Sequence, residues 1–381
     1  MDVSRREVLG GLAAASIAFS KVSFAKPAPT STVAIARCRS YDDDLTGKLS
    51  AMFDQLGGLG PLVKGKTVAI KLNLTGKPTR FPMDPAMPYR NDPRTVLAVA
   101  HLMSRAGAKR IRILETFFPA RQDMALWARY GLDINAINNV GCKVEWENAQ
   151  NLGYGKKYVR VTVPTGGYIF PSYDLNHSFV DCDTYVTMPK LKNHWIAGVT
   201  LSLKNNFGLT PCSLYGGDCG PSGNEDPHQE RGPVCHQGKE HPPAGIPQEL
   251  DLSSPRDFGY RVPRIAADLA TARPIHLSII DGIDTVRGGE GVWIPALQRL
   301  KPGLLIAGKN PVCTDAVAMA VMSYDPEADR GTKPFLRGDN TLKLAEANGV
   351  GTTDLNRIEV VGQKIADVKF DFGPGPTGKP V

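Results

Sequence analysis

Apolar positions along the chain form short runs with the pattern of buried strands, and these runs alternate with segments of helical spacing. Strand-like runs occur at 32–38, 67–74 and 110–116, and segments with one apolar face occur at 45–56 and 93–106. Strands that alternate with helices in this way are typical of parallel sheets covered by helices. The pattern therefore predicts an α/β fold, with a mostly parallel sheet and helices on both of its faces.

The same alternation continues through most of the remaining chain. We predict helices at 124–130, 134–138, 262–272, 312–323 and 341–348, strands at 143–146, 183–187, 275–282, 303–308 and 357–362, and a hairpin with arms at 159–164 and 168–171. One stretch lacks the alternation, because residues 210–259 contain 16 Gly or Pro in 50 positions. This length exceeds that of an ordinary connection, so a Gly/Pro-rich insertion or a functional flap with Cys and His residues is expected there.

The first 25 residues have the pattern of an export signal. Arg5 and Arg6 form a twin-arginine pair, an apolar run from Leu9 to Phe19 follows, and Ser23-Phe24-Ala25 is a small-x-small cleavage site. A membrane anchor is the alternative, but the apolar run is too short to span a bilayer. We predict a twin-arginine signal peptide at 1–25 and a single α/β domain at 26–381. The twin-arginine translocase is then a partner, the protein is periplasmic or otherwise exported, and no stable membrane span remains after cleavage.

The charge of the chain narrows the class of ligand. The formal net charge is +7, of which segment 1–25 contributes +1 through Arg5, Arg6 and Lys21 against Asp2 and Glu7. The remainder therefore carries a moderate excess of +6, and it is spread along the chain. No basic tract with interleaved aromatic residues is visible, which argues against nucleic-acid binding. A small anionic ligand is the expected partner.

Four potential cations lie close together after the predicted strand at 183–187. They are Lys190, Lys192, His194 and Lys204, and the earlier strand at 67–74 adds Lys71 and Asn73 at its carboxyl end. Open α/β sheets bind ligands at the carboxyl ends of their strands, and a helix beginning near Asn193 would add its positive end to the same place. We therefore predict an anion-binding cleft. The alternative is structural: the lysines extend from a partly exposed edge, and Asn205 caps a helix.

Two carboxylates and one arginine extend this set. Asp281 ends an apolar strand and Asp315 lies in the first turns of a helix, where each carboxylate could transfer a proton or hold a metal ion. The structural alternatives are a turn for Asp281-Gly282 and helix-dipole stabilisation for Asp315. Arg287 opens the glycine-rich turn Arg287-Gly-Gly-Glu-Gly291, which has the wrong spacing for a phosphate loop but is expected near a ligand. The predicted catalytic residues are Lys190, Lys192, His194, Asp281 and Asp315, and the predicted ligand-binding residues are Lys71, Asn73, Lys204, Asn205 and Arg287.

The cysteines leave several alternatives open. The chain has 7 cysteines, and Cys212, Cys219 and Cys235 lie with His236 in the long Gly/Pro-rich stretch. These four side chains could bind a metal ion or an iron–sulfur cluster, although no Cys-x-x-Cys pair is present. A disulfide between Cys219 and either Cys212 or Cys235 is the favoured interpretation for an exported protein, and free thiols are a further one. The cofactor itself is not identified by these residues.

Several motifs resemble those of a known family. The segments Val68–Leu74, Pro189–Gly208, Asp281–Ile283 and Gly308–Ala318 are similar to the domain of unknown function 362 family, over residues 33–362. This resemblance implies an α/β fold and leaves the reaction open. The ferredoxin-type cysteine run of some members is absent here. A fainter similarity, to the nickel-pincer lactate racemases, would make Lys190 or Lys192 the cofactor attachment point and His194 a base or ligand.

Three functional hypotheses follow. The first is an exported protein that binds a small anionic ligand in a Lys/His-lined cleft, with a cofactor or metal if it is an enzyme. The second is a non-catalytic periplasmic binding or assembly protein that acts through the flap at 210–259. The third is a metal or iron–sulfur redox protein that uses the flap cysteines.

Overall fold

The computed structural model describes residues 27–76, 80–116, 124–149, 158–218, 231–295 and 297–377. The predicted signal peptide and Cys219 lie outside these ranges, so the predictions made for them stay predictions. No helix within the described ranges combines the length and apolar character needed to cross a bilayer.

The strands are β1 (Val33–Arg37), β2 (Thr67–Lys71), β3 (Arg110–Glu115), β4 (Lys143–Asn148), β5 (Tyr158–Thr162), β6 (Ser172–Asn176), β7 (Thr184–Thr187), β8 (Asn193–His194), β9 (Gly198–Val199), β10 (Leu277–Gly282), β11 (Thr285–Arg287), β12 (Gln298–Leu300), β13 (Leu304–Gly308) and β14 (Val360–Gly362). The α-helices are α1 (Leu45–Gln55), α2 (Gly60–Val63), α3 (Pro93–Arg105), α4 (Met124–Ala128), α5 (Ile134–Asn138), α6 (His177–Val180), α7 (Leu201–Asn205), α8 (Cys212–Tyr215), α9 (Phe258–Ala272), α10 (Pro311–Val321), α11 (Thr341–Ala347) and α12 (Ile365–Val368). Short 3-10 turns lie at Asn206–Leu209 and Leu355–Arg357, and a π-type turn lies at Gly232–Gln237.

One large sheet organises the described residues. Eight of their strands follow the order β14-β1-β13-β10-β7-β2-β3-β4. Strand β13 runs antiparallel to both of its neighbours, β1 and β10, and the other adjacent pairs are parallel. The predicted α/β fold with a mostly parallel sheet is therefore confirmed.

Helices cover both faces of this sheet because successive strand side chains point to opposite sides. In β2, Val68 and Ile70 pack into the cluster that holds α1 and α3, whereas Ala69 packs with α9 on the other face. In β13, Leu305 and Ala307 belong to the first cluster, and Ile306 packs with α10. Burial on both faces explains why these strands appear as nearly continuous apolar runs.

Two sequence-based element predictions are wrong, and both errors come from tertiary contacts. No helix begins near Asn193, because Asn193–His194 pairs with Gly198–Val199 in a short hairpin and the helix begins at Leu201. The second arm of the 159–171 hairpin is displaced to Ser172–Asn176. The backbone N–H groups of Tyr168 and Ile169 instead donate to the Asp268 carboxylate, at 2.8 and 3.1 Å.

Candidate functional site

The carboxyl ends of the parallel strands β2, β3 and β7 meet at one edge of the sheet, where a cleft opens. Its volume is about 460 Å³. The wall is built by the ends of these strands, the segment from β8 to α7, the glycine-rich turn after β11 and the described part of the flap. The polar side chains along it include Lys71, Asn73, Glu115, Lys192, His194, Lys204, Asn205, Arg231, His236 and Glu290.

A buried ion pair lies at the end of the central strands. Lys71 on β2 donates to Glu115 Oε1 on β3 at 2.6 Å and to the Leu72 carbonyl at 2.8 Å. The Glu115 carboxylate also accepts the backbone N–H groups of Leu74 and Thr116. Burial lowers the pKa of Lys71, while the charge of Glu115 opposes that shift. The carboxylate therefore has three donors and offers little to a ligand.

A chain of side-chain amides continues the wall. Asn73 Nδ2 donates to Asn205 Oδ1 at 3.1 Å, and Asn205 Nδ2 donates to Thr187 Oγ1 at 2.8 Å. Asn73 Oδ1 is buried and accepts no hydrogen bond from the described residues. A buried acceptor without a donor costs free energy, so this oxygen is an unsatisfied group in the wall of the cleft.

Lys192 is enclosed by backbone oxygens. Its Nζ donates to the Tyr89 carbonyl at 2.5 Å and to the Glu290 carbonyl at 3.0 Å, and the residue is fully buried. Burial lowers the pKa of Lys192 well below its usual value, with a smaller opposing effect from the Glu290 carboxylate. Lys192 thus ties the glycine-rich turn to the loop before α3.

His194 and Glu290 form a polar pair beside Lys192. The backbone N–H groups of Ile196 and Ala197 donate to His194 Nδ1, at 3.2 and 3.4 Å. The neutral ring therefore carries its proton on Nε2, and burial lowers the pKa of His194 well below its usual value. Glu290 Oε2 lies 3.9 Å from His194 Nδ1 and accepts the backbone N–H of Trp195. This arrangement leaves His194 Nε2–H available as a donor toward the cleft.

Lys204 differs from the other lysines at this site. Its Nζ lies 4.4 Å from the centroid of the Phe207 ring and has no hydrogen-bond acceptor among the described residues. Burial lowers the pKa of Lys204 to about 7, with Glu290 opposing the shift and the positive charges of Arg231 and Lys71 adding to it. A cation held in this way has an unused capacity for hydrogen bonds that an anion would fill.

The flap supplies the far wall of the cleft. The ring of His236 stacks on Phe207, with centroids 4.9 Å apart and an interplanar angle of 20°. Burial lowers the pKa of His236 to about 3, so the ring is neutral near pH 7. Arg231 donates to the Phe207 carbonyl at 3.3 Å. Arg231, His236 and Phe258 of the flap therefore line the cleft.

Asp315 lies outside the cleft and holds one of its helices. This fully buried carboxylate accepts the backbone N–H groups of Ser202 and Leu203 at the start of α7, both at 2.9 Å. Burial raises the pKa of Asp315 to about 7, and the two N–H donors oppose that shift. The preceding Leu201 has φ +44°, a strained value for a residue with a side chain. Asp315 thus sets the position of Lys204 and Asn205 on the same short helix.

Lys190 and Asp281 form a separate, fully buried pair, and neither lines the cleft. Their charged atoms are 3.0 Å apart. Lys190 also donates to Tyr41 Oη and to the Asp284 carbonyl, and Tyr41 donates to the Asp281 carboxylate.

Arg287 also lies away from the cleft, where it donates to Gln298 and to the Asp371 carbonyl. The cleft therefore includes Lys71, Asn73, Lys192, His194, Lys204 and Asn205 from the predicted set, but not Lys190, Asp281, Asp315 or Arg287.

The cysteine and metal predictions remain open. Cys212 and Cys235 are buried, and burial raises the pKa of the Cys235 thiol to about 12. The described residues contain no group of three or more His, Cys, Asp or Glu side chains arranged to bind a metal ion. Of the two attachment candidates for a nickel-pincer cofactor, Lys190 is ion-paired outside the cleft, and Lys192 lines the cleft but donates to two backbone carbonyls. Neither amine is therefore free for that attachment.

Four charged residues of the cleft, Arg80, Glu115, Arg231 and Glu290, were absent from the sequence-based set. Glu115 ends the strand next to Lys71, and Glu290 lies inside the glycine-rich turn for which Arg287 was chosen. The adjacency of β2 and β3 in the predicted sheet is a signal that points to Glu115. Arg231 and Glu290 reach the site by long-range packing, which leaves no mark in the local pattern.

Comparisons with known proteins give matches of low sequence identity. A curated relative, a thylakoid-associated protein from Synechocystis sp., is 28% identical over 193 residues, which are 47% of this chain and 51% of that protein. The chain thus spans about half the length of the curated relative. A solved lactate racemase apoprotein from Thermoanaerobacterium thermosaccharolyticum aligns with a TM-score of 0.35 and 14% identity, over 67% of this chain and 50% of that one. A solved protein from Thermotoga maritima aligns with a TM-score of 0.36 and 12% identity, over 72% and 57% of the two chains.

A family model covers the strands and the segment that build the cleft. It matches residues 68–320, which run from β2 to the end of α10 and include every polar residue named in the cleft wall. The match takes in more than half of the chain. The protein therefore belongs to the family described as domain of unknown function (DUF362).

Proposed function

We propose that this protein binds a small anion, with carboxylate or phosphate oxygens, in the cleft at the carboxyl ends of β2, β3 and β7. One observation carries the proposal: Lys204 Nζ faces the cleft without a hydrogen-bond acceptor among the described residues. The nearby basic side chains are occupied, because Lys71 is paired with Glu115 and Lys192 donates to two carbonyls. An anion would accept hydrogen bonds from Lys204 Nζ and would also be attracted by the positive charge of Arg231.

The charge balance of the wall supports an anionic ligand. Its described basic residues are Lys71, Arg80, Lys192, Lys204 and Arg231, and its described acidic residues are Glu115 and Glu290. A concave, partly apolar site with a few directed polar groups is typical of small-molecule binding. The volume of about 460 Å³ suits a metabolite-sized ligand. His194 Nε2–H would donate a hydrogen bond to an oxygen of the same ligand.

Calorimetric titration with inorganic phosphate, oxalate and oxamate tests this proposal. We expect at least one of these anions to bind at pH 6, where Lys204 is protonated, and Lys204→Met to weaken that binding about tenfold or more. Lys109→Met is a matched control, because Lys109 is exposed and lies outside the cleft. Equal affinities of the two variants and the unchanged protein would refute the role of Lys204, and the absence of all binding would refute the site.

We also propose that the protein is exported by the twin-arginine translocase and acts in the periplasm or outside the cell. The support is the Arg5-Arg6 pair with its apolar run and small-x-small cleavage site. Replacing both arginines by lysine is expected to retain the uncleaved chain in the cytoplasm. Normal export of that variant, measured by fractionation and mass spectrometry of the amino terminus, would contradict the proposal.

A further inference from the structure

We propose that Lys204 is a nucleophilic amine that forms an imine with the carbonyl group of a small 2-oxo acid, an inference that rests on the anion site proposed above. It adds a substrate class and a covalent step to that site. The other lysines of the region are poor candidates for this role. Lys71 and Lys190 are ion-paired with carboxylates, and Lys192 donates to two backbone carbonyls.

The geometry around Lys204 meets the first requirement of an amine nucleophile. Its nitrogen needs a free lone pair and a path to the carbonyl carbon. Lys204 Nζ contacts the face of Phe207 at 4.4 Å and has no acceptor among the described residues to hold its protons. Because Lys204 also lines the cleft, a ligand in that volume reaches its nitrogen directly.

The surroundings also favour the neutral amine. Lys204 lies among basic side chains on several elements, since Lys71 comes from β2, Arg231 from the flap and Lys192 from the segment before β8. Glu290 is the opposing carboxylate, and His236 on the flap is neutral near pH 7. Burial lowers the pKa of Lys204 to about 7, with Glu290 opposing the shift and Arg231 and Lys71 adding to it, so a large fraction of neutral amine exists at neutral pH.

The step balances without an oxidant or reductant. The lone pair of Lys204 Nζ attacks the carbonyl carbon, a C–N bond forms, and the carbonyl oxygen takes a proton to give a carbinolamine. The nitrogen gives up its two protons in turn, the oxygen takes up two, the C–O bond breaks, and water leaves with the neutral imine as the product. His194 Nε2–H would hold the oxygen by a hydrogen bond, and the Glu290 carboxylate, which also lines the cleft, would carry protons from the nitrogen to the oxygen.

The choice of a 2-oxo acid follows from the two kinds of group in the cleft. A carboxylate next to the carbonyl would meet the positive field of Arg231 and Lys71, while the carbonyl carbon lies against Lys204. A simple aldehyde or ketone lacks the charge that the basic wall selects, and an anion without a carbonyl cannot form the imine. Pyruvate is the smallest probe with both groups.

Borohydride trapping tests the covalent step. The mature protein is incubated with pyruvate and sodium borohydride, which reduces an imine to a stable secondary amine, and the adduct is located by peptide mass spectrometry. We expect one adduct per chain at Lys204, with a rate that rises as the pH increases through about 7. Lys204→Arg, which keeps a positive charge but is not nucleophilic, should lose the adduct. Lys109→Arg should retain it.

A parallel titration with oxamate separates the two proposals. Oxamate has the shape and charge of pyruvate, but its amide carbonyl does not form imines. Binding of oxamate without a pyruvate adduct at Lys204 would overturn the imine and leave the anion site standing. If neither molecule binds, both proposals fail. Equal labelling in Lys204→Arg would also overturn the imine, and unchanged thermal unfolding of that variant confirms that a loss of labelling is not a loss of fold.

Discussion

Two regions of this protein hold lysines in opposite ways, and Lys190 is fully buried whereas Lys204 is half-buried at the cleft. In the pair beside β10, Lys190 has Asp281, Tyr41 Oη and a backbone carbonyl as acceptors, so its charge is compensated. In the cleft, Lys204 has an aromatic face and no acceptor among the described residues. Both lysines come from one continuous segment of sequence. The difference teaches that the available partners, and not burial alone, separate a structural cation from one that is prepared for a ligand.

The physical basis of this difference is desolvation. A buried ammonium group loses its hydration and is tolerated when nearby oxygens replace the water. Lys190 obtains three such oxygens. The surroundings of Lys204 instead lower its pKa, which favours the neutral amine. A ligand anion would restore the missing compensation. We therefore expect substitution of Lys190 to change mainly the stability of the protein, and substitution of Lys204 to change mainly its affinity for an anion.

The largest effect is expected from breaking the buried pair. Lys190→Met leaves the Asp281 carboxylate buried without its cation, and we expect a loss of about 3–5 kcal/mol in the free energy of unfolding. Urea denaturation measures this loss. Lys204→Met should change the same quantity by less than about 1 kcal/mol, because no buried partner is left behind. Similar losses in both variants would remove the distinction between the two regions.

An intermediate effect is expected at Asp315, which supports the cleft from outside. Asp315→Asn leaves one of the two N–H groups at the start of α7 without an acceptor, which costs about 1–3 kcal/mol. The pKa of Asp315 is raised in the folded protein to about 7, so the folded state binds more protons than the unfolded state between about pH 4 and 7.

The contribution of Asp315 to stability is thus greatest at low pH and falls as pH rises through that window. The asparagine variant should lack this part of the pH dependence. Denaturation curves at several pH values check it, and a parallel pH dependence in both proteins would show that Asp315 is not the group responsible. A lower anion affinity in this variant would show that α7 positions Lys204.

A smaller effect is expected from the titration of Lys204. Raising the pH from 6 to 9 removes the proton from this amine, so anion affinity should fall by about tenfold, which corresponds to about 1.4 kcal/mol. Calorimetry with oxamate measures the profile. The Lys204→Met variant should show a weaker and flatter profile. A profile that Lys204→Met leaves unchanged would assign the titration to another group.

The smallest effect is expected at the flap. His236 stacks on Phe207 and is neutral near pH 7, so its contribution is the ring contact and not a charge. His236→Phe should therefore change anion affinity by less than about twofold, whereas His236→Ala should weaken it more by removing the stack. Calorimetric titration of both variants with the anion measures these two changes in affinity. A large loss in His236→Phe would show that an imidazole nitrogen contacts the ligand.

The sequence predicted the parts of the site that depend on sheet topology. Lys71 and Asn73 follow a strand pattern, and the rule that ligands bind at the carboxyl ends of parallel strands places them in the cleft. The positions of Lys190 and Lys192 were not predictable in the same way. Their acceptors include Asp281 and Glu290, which lie far along the chain, so local alternation could not show that only Lys192 lines the cleft.

The error at Asn193 has a similar cause. Gly198 adopts φ +73° in the short β8–β9 hairpin, and the start of α7 is held by Asp315 from a distant helix, so the helix begins eight residues after Asn193. Helix propensity is a weak local preference that tertiary contacts override. The fold was therefore predictable from periodic burial, whereas the site depends on contacts that periodicity does not contain.

The distribution of tryptophans gives this protein two separate optical reporters. Trp195 and Trp293 line the cleft, and Trp293 packs against Phe81 at a centroid distance of 5.4 Å. Trp127 and Trp146 pack edge to face against each other in the core, 5.0 Å apart. These are all 4 tryptophans of the chain. Ligand entry should therefore change the fluorescence of one pair, while the emission of the other pair reports whether the sheet and its helices remain assembled.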